Sequence, residues 1–170
     1  PPPPPPPFFF SMPTPDFELL SGLVGSEMCI RDRSELKQLR SKVQWLIVQY
    51  HRPMYPAVKT PAPHATVFCP LFDKYNVDLA LESDGHCMKR TVPIRDGKKD
   101  PNGLVYLGEG GLGVGQRKTD PNRWYFQNGG KTGSDHHVVQ IDLNSAELRA
   151  RFILMDGSAW DDHTIKSKKP

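Results

Sequence analysis

Charge of one sign is scarce in this 170-residue chain. Its 22 Lys and Arg stand against 19 Asp and Glu, leaving a formal net charge of +3 spread over interspersed residues. So even a balance gives no electrostatic footprint for nucleic acid. Cysteine is scarce too: Cys29, Cys69 and Cys87 make neither a disulfide framework nor a CxxC pair. Cys69 and Cys87 are therefore expected to be small buried side chains. No apolar run approaches the ~18 residues that span a bilayer, so neither a membrane nor nucleic acid is expected as a partner. Hydrophobic residues make up only 37% of the chain, enough for one domain with a modest core.

Proline is abundant instead, at 18 residues, and seven of these open the chain ahead of Phe8, Phe9 and Phe10. Such a run suits a polyproline II arm. It equally suits translated homopolymer, since CCC encodes Pro and TTT encodes Phe. Residues 24–33, VGSEMCIRDR, resemble the translated end of a transposase-based sequencing-library adapter. Residues 1–33 are accordingly set apart as an artefactual or disordered leader. The domain is expected over residues 34–165, with 166–170 a disordered basic tail.

The informative stretch runs from Trp45 to Ile94. Residues 43–48 and 77–81 are apolar runs too short for independent helices and rich in β-branched or large aliphatic side chains, as in buried strands of an α/β sheet. Between them Val67, Phe68, Leu71, Phe72 and Tyr75 fall at helical spacing. Pro70 is expected in the first turn of that helix, and Asn76 as a left-handed residue just after it. The order is strand, loop, helix, strand, a βαβ unit. His51 follows the first strand, and Asp84, Gly85 and His86 follow the second. Ligands of α/β sheets gather at the carboxyl ends of strands, which makes these loops neighbours in space.

This arrangement resembles the second half of the calcineurin-like metallophosphoesterases, most closely the purple acid phosphatase branch. The resemblance rests on His51-Arg52-Pro53-Met54-Tyr55, on Pro70-Leu71-Phe72 followed by Lys74-Tyr75 and Val77-Asp78-Leu79, and on the block ending in Arg90-Thr91. It covers roughly residues 45–111. The family's Gly-His-x-His falls on Ser83-Asp84-Gly85-His86, so Asp84 stands where the family has its first His. Carboxylate remains a competent ligand for Zn, Mn or Fe.

The resemblance implies a part of a four-layer αββα sandwich, its C-terminal half only. It also implies a dinuclear centre of Fe, Mn or Zn ions with His51, Asp84 and His86 among the ligands. Arg52 and His64 would face a phosphorylated small-molecule substrate, in an extracellular or cell-envelope setting. Two metal ions acidify a shared water and clamp the phosphoryl oxygens of an ester. The family's bridging Asp and Gly-Asn-His block precede this region, and Asp16 lacks the accompanying motif. The expected function is thus a phosphoric ester hydrolase of the acid phosphatase or phosphodiesterase type, with this chain alone inactive. The alternative is a non-catalytic binding module on the same fold.

Elsewhere the chain yields local expectations. Ser34 reads as the cap of a short helix with Leu36, Leu39 and Val43 on one face. Residues 95–102 read as a turn. Gly108 to Gly113 match GxGxxG after a strand at 104–107, which raises a nucleotide-binding loop as a minor alternative, although the following residues are hostile to helix. The resemblance implies a Gly-Gly strand end at Gly110 and Gly111, where absent side chains let backbone pass closely beneath the site. Residues 118–134 read as a polar loop docked by Trp124, Tyr125 and Phe126. Residues 136–143 and 147–155 read as a hairpin with Leu148, Ala150 and Phe152 inward. His136 and His137 point to opposite faces, so at most one serves a site. Asp161, Asp162 and His163 are expected to end the ordered part, in solvent.

Overall fold

The computed structural model describes residues 26–168. The Pro-Phe run, Asp16 and the last two tail residues lie outside them. Helix α1 (Ser26–Arg40) leads into strand β1 (Ile47–Tyr50), helix α2 (Ala65–Lys74) and strand β2 (Leu79–Glu82). Then come β3 (Met88–Arg90), the short pair β4 (Ile94–Arg95) and β5 (Lys98–Lys99), and β6 (Val105–Gly108). A single 3-10 turn (Trp124–Phe126) precedes β7 (Lys131–Gly133), β8 (His137–Leu143), β9 (Glu147–Leu154) and β10 (Ala159–Lys166). Among the described residues, one mixed sheet has the order β1-β2-β6-β3-β7, and an antiparallel sheet has the order β10-β9-β8.

Strands β1, β2 and β6 run parallel in register, with Tyr50 beside Glu82 and Glu82 beside Gly108. The expected βαβ unit is therefore present as β1-α2-β2. Both faces of the mixed sheet are covered, as its continuous apolar runs require. Alternate residues Ala80 and Tyr106 join a core with α1, α2 and the loop after β1. Leu79, Val105 and Leu107 point the other way, onto Leu148, Ala150 and Phe152 of β9. The described layers are helices, mixed sheet and antiparallel sheet. Arg90 ties the two sheets through a two-pronged pair with Asp161, at 2.5 and 3.2 Å.

Several local expectations need correction. Ser34 is interior to α1 and is no cap, while Leu36 is buried and Leu39 is 42% exposed. The C-terminus of α1 is fixed by Arg40, which pairs with buried Asp78 at 2.6 Å and donates to the carbonyls of Val43 and Gln44. Helix α2 starts at Ala65, so Pro70 lies mid-helix and not in the first turn. Burial of Leu71 and Phe72, about 1.5–3 kcal/mol each, offsets the roughly 3 kcal/mol an interior proline costs. Residues 95–102 contain the β4-β5 hairpin, and β7 lies within the expected polar loop.

Asp161, Asp162 and His163 do not end the ordered part, and only Asp162 is exposed to solvent as expected. They belong to β10, which pairs with β9 from Ala159 to Lys166, and Asp161 is held by Arg90. Past Lys166, Lys168 donates to the carbonyl of Gly103 at 2.9 Å. The β8-β9 hairpin, the buried Tyr125 and Phe126, and buried Cys87 follow the sequence reading. Cys69 is half-buried.

Asn76 has φ +47, as its position predicts. Its N–H reaches Asp73 O and that of Val77 reaches Phe72 O, a closed helix end. Asn76→Ala removes the short polar side chain that makes left-handed backbone tolerable and should cost about 1 kcal/mol, whereas Asn76→Gly should stay within ~0.5 kcal/mol. Urea unfolding of the two variants beside the parent checks this, and equal loss in both would refute the backbone explanation.

Candidate functional site

Because β1, β2 and β6 are parallel, their carboxyl ends share one edge of the sheet. Two tiers of charge are built there. The inner tier is fully buried: Lys89 on β3 meets Glu82, the last residue of β2, and Glu109, which follows β6. The Lys89–Glu109 separation is 3.0 Å. Glu82 also accepts from Tyr50 Oη at 2.5 Å and Met54 N at 2.7 Å, and Glu109 accepts from Ala57 N at 2.6 Å. Lys89 in turn donates to Tyr55 O. The three charges and the backbone groups they hold would be costly to bury without their partners.

Two carboxylates share one ammonium, and the environment responds accordingly. Burial pushes Glu109 up from the ordinary carboxylate range, against the opposing pull of Lys89 and the Ala57 N–H. Burial works against the Lys89 charge, but the attraction of Glu82 and Glu109 outweighs it and raises Lys89. Burial and Glu82 together push Tyr50 far up, keeping its phenol protonated. Cys87 lies 3.8 Å from Glu109 Oε2, and burial lifts its thiol to about 12, so it is a packing group and no nucleophile.

The outer tier is partly open. His51 Nε2 lies 3.5 Å from Asp84 Oδ1, and the same oxygen receives Lys59 Nζ at 2.5 Å. The His51 ring is 75% exposed and the Asp84 carboxylate only 16%. Hydrogen bonding from Lys59 holds the Asp84 carboxyl below its ordinary range against the opposing effect of burial, helped by the charges of Lys59, His51 and Arg52. The turn carrying Asp84 is tight: Asp84 and His86 have φ +69 and +56, on either side of Gly85. Gly85 carries no side chain because a methyl there would overlap the Glu109 carboxylate. Arg117 locks the turn, its side chain donating to Asp84 O and its N–H to His86 O, both at 3.0 Å.

The structure thus brings His51 and Asp84 together and sets the charge of Arg52 beside them. His86 does not join them: among the described residues, no group of three or more His, Cys, Asp or Glu side chains converges as a metal cage. The carboxylate is also occupied by an ammonium. These residues do not fit a dinuclear centre held by this chain alone. His64 sits at the N-cap position of α2, edge-on to Phe68, on the wall of an apolar cavity of about 750 Å³ between α1, β1 and α2.

The Gly-rich stretch also differs from expectation. No helix opens on Gly113, so the loop lacks the helix N-terminus that a pyrophosphate needs. Close passage occurs at Gly108, where a side chain would strike the Glu82 carbonyl, while Gly110 faces open space. His136 Nδ1 donates to Gly111 O, 2.8 Å away, and buried His137 packs on Phe152. Both histidines are structural.

Sequence reasoning missed Glu82, Lys89, Glu109 and Lys59. The available signal was a repeat: two apolar strands close on Glu, in Leu79-Ala80-Leu81-Glu82 and in Val105-Tyr106-Leu107-Gly108-Glu109. A lysine in a strand beside them is the partner such a pair needs.

The chain has a mixed α/β fold similar to part of the purple acid phosphatase fold. Specifically, it is similar to the structure of purple acid phosphatase PPD1 from yellow lupin (Lupinus luteus) seeds, with a TM-score of 0.74, 23% identity and 84% of this chain covered. It is also similar to GAP50, the anchor in the inner membrane complex of Plasmodium, with a TM-score of 0.61, 16% identity and 83% of this chain covered. The match spans 28% of the lupin chain and 42% of the Plasmodium chain. No protein-family model matches the sequence, and no curated protein does. No described helix is long and apolar enough to cross a membrane.

Removing the shared cation tests the inner tier. Lys89→Met leaves Glu82 and Glu109 buried without their counter-charge and should cost about 3–5 kcal/mol near neutral pH. Glu109 in the fold holds its proton above 4.5, so its protonation stabilises fully below the unfolded value, and that support is lost as pH rises through the folded value. Lys89→Met raises the folded value further, so its deficit against the parent should widen from pH 4.5 to pH 8. Urea midpoints across that range measure it, and a pH-independent deficit would contradict the shared-cation account.

Proposed function

We propose that this chain is the carboxyl-terminal part of a phosphoric ester hydrolase domain of the acid phosphatase or phosphodiesterase type. The observation that carries the reading is the meeting of His51 Nε2 and Asp84 Oδ1, 3.5 Å apart, at the ends of adjacent parallel strands. An imidazole and a carboxylate there, amid the positive charge of Arg52 and Lys59, suit recognition of a phosphorylated small molecule. The fold similarity to a purple acid phosphatase supports the same reading.

In this proposal His51, Asp84 and His86 contribute to a centre of Fe, Mn or Zn whose remaining ligands come from outside these 170 residues. The chain by itself is inactive, for want of those ligands. Arg52 orients the phosphoryl group by charge, and His64 lies on the loop that flanks it. The setting in the proposal is extracellular or the cell envelope.

A second reading is favoured by one observation: the ammonium of Lys59 sits on Asp84 Oδ1, the oxygen that faces His51. On that reading the domain is a non-catalytic binding module that keeps the fold.

Variants of Asp84 in the full-length parent protein decide between them. Asp84→Ala should remove one metal equivalent and lower phosphoesterase turnover at least ~100-fold, a loss of about 2.7 kcal/mol in transition-state stabilisation. Asp84→His should retain most of both. Unchanged metal content and turnover in Asp84→Ala would leave the non-catalytic reading standing.

A further inference from the structure

We infer that Lys59 is the resident cation of the strand-end site, an ammonium tethered by the chain itself where a metal ion would otherwise meet Asp84. This goes beyond either functional reading, since it concerns what occupies the carboxylate and not what the domain turns over. The first support is the contact itself: Lys59 Nζ lies 2.5 Å from Asp84 Oδ1, the oxygen that also faces His51 Nε2 at 3.5 Å. The pair is partly withdrawn from water, with the two side chains 34% and 16% exposed, so salt screens it less than a surface pair.

The second support is how Lys59 is placed. A lysine on a free loop would spend most of its time in solvent. This one rides on a segment held at nearly every residue. Arg123 donates to the carbonyls of Pro56, Val58 and Lys59 itself, at 2.7, 3.1 and 2.9 Å. Tyr125 Oη donates to Pro56 O at 2.6 Å, and the Ala57 N–H is fixed by buried Glu109 at 2.6 Å. The loop is anchored from three directions, by the 3-10 turn, by the strand-end carboxylate and by the sheet. Its ammonium is therefore delivered to Asp84 in a fixed direction, as a compact point charge suits.

The opposite side of the pair is fixed as well. Arg117 holds the Asp84 main-chain carbonyl at 3.0 Å, which fixes the backbone from which the carboxylate projects. A metal ion taking Oδ1, the oxygen that faces His51, must displace Lys59, so the two cations compete for that oxygen. The metal affinity of that oxygen is set by how readily Lys59 leaves.

Zn²⁺ titration of the 170-residue chain by calorimetry tests this, using metal binding and not turnover. Lys59→Met keeps the aliphatic stem and removes the charge, and it should bind Zn²⁺ at least tenfold more tightly than the parent chain. Adding Asp84→Asn to Lys59→Met should abolish that gain. Lys59→Ala repeats the comparison with the space left open. Equal affinity in parent and Lys59 variants, no binding in any of them, or a gain that survives Asp84→Asn overturns the inference. Loss of turnover in a full-length Asp84 variant bears on the hydrolase reading and leaves this one untouched.

Discussion

The structure depends on one buried charge arrangement, the ammonium of Lys89 between the carboxylates of Glu82 and Glu109. Two parallel strands end at the carboxylates, Lys89 comes from the middle of β3, and each carboxylate reaches outward to capture a backbone N–H of the loop after β1. Without the ammonium, two buried negative charges would repel each other in low dielectric and the loop would lose its anchors. The arrangement is a weak source of net stability, since taking three charges out of water costs nearly what their attraction returns. What it provides is position. It holds Met54 and Ala57 by their N–H groups and Tyr55 by its carbonyl at the sheet edge, next to the loop residues His51 and Lys59.

The two tiers stand in a clear relation. The inner one is dry and satisfied, and it contains no group poised for chemistry: its phenol and thiol are both pushed toward their neutral forms. The outer one is half-open, asymmetric in charge and built on two left-handed residues. Backbone in that conformation costs of order 1 kcal/mol per residue and persists where the surroundings over-determine it. The same fold is found in a phosphatase and in a protein described as an anchor, so architecture alone does not choose between catalysis and binding. The choice rests on the outer tier.

Legibility from sequence followed the physics of each feature. The parallel strands, the intervening helix and the left-handed Asn76 were readable because burial on two faces and helix termination leave marks within a few residues. The meeting of the loops after β1 and β2 was readable because parallel neighbours end at one edge. Pro70 misled, since its local cost is outweighed by the packing of Leu71 and Phe72 onto strands distant in sequence. Strand β10 was hidden because Asp161 and His163 look like terminal polar residues, and only the Arg90 pair and the β9 ladder make them structural. Lys59 left no mark at all. Its neighbours are prolines and small residues, and its partner lies 25 positions away.

Gly85 and Glu109 occupy a single volume between them, the absent side chain of one being the space that the carboxylate of the other fills. Neither position is then free to drift alone. A lineage that exchanged Glu109 for a smaller residue would open a void beside Gly85 and release it to accept a methyl, whereas any larger residue at position 85 first requires the carboxylate to go. Among descendants of a common ancestor the two sites should be inherited as a pair, changing together or not at all.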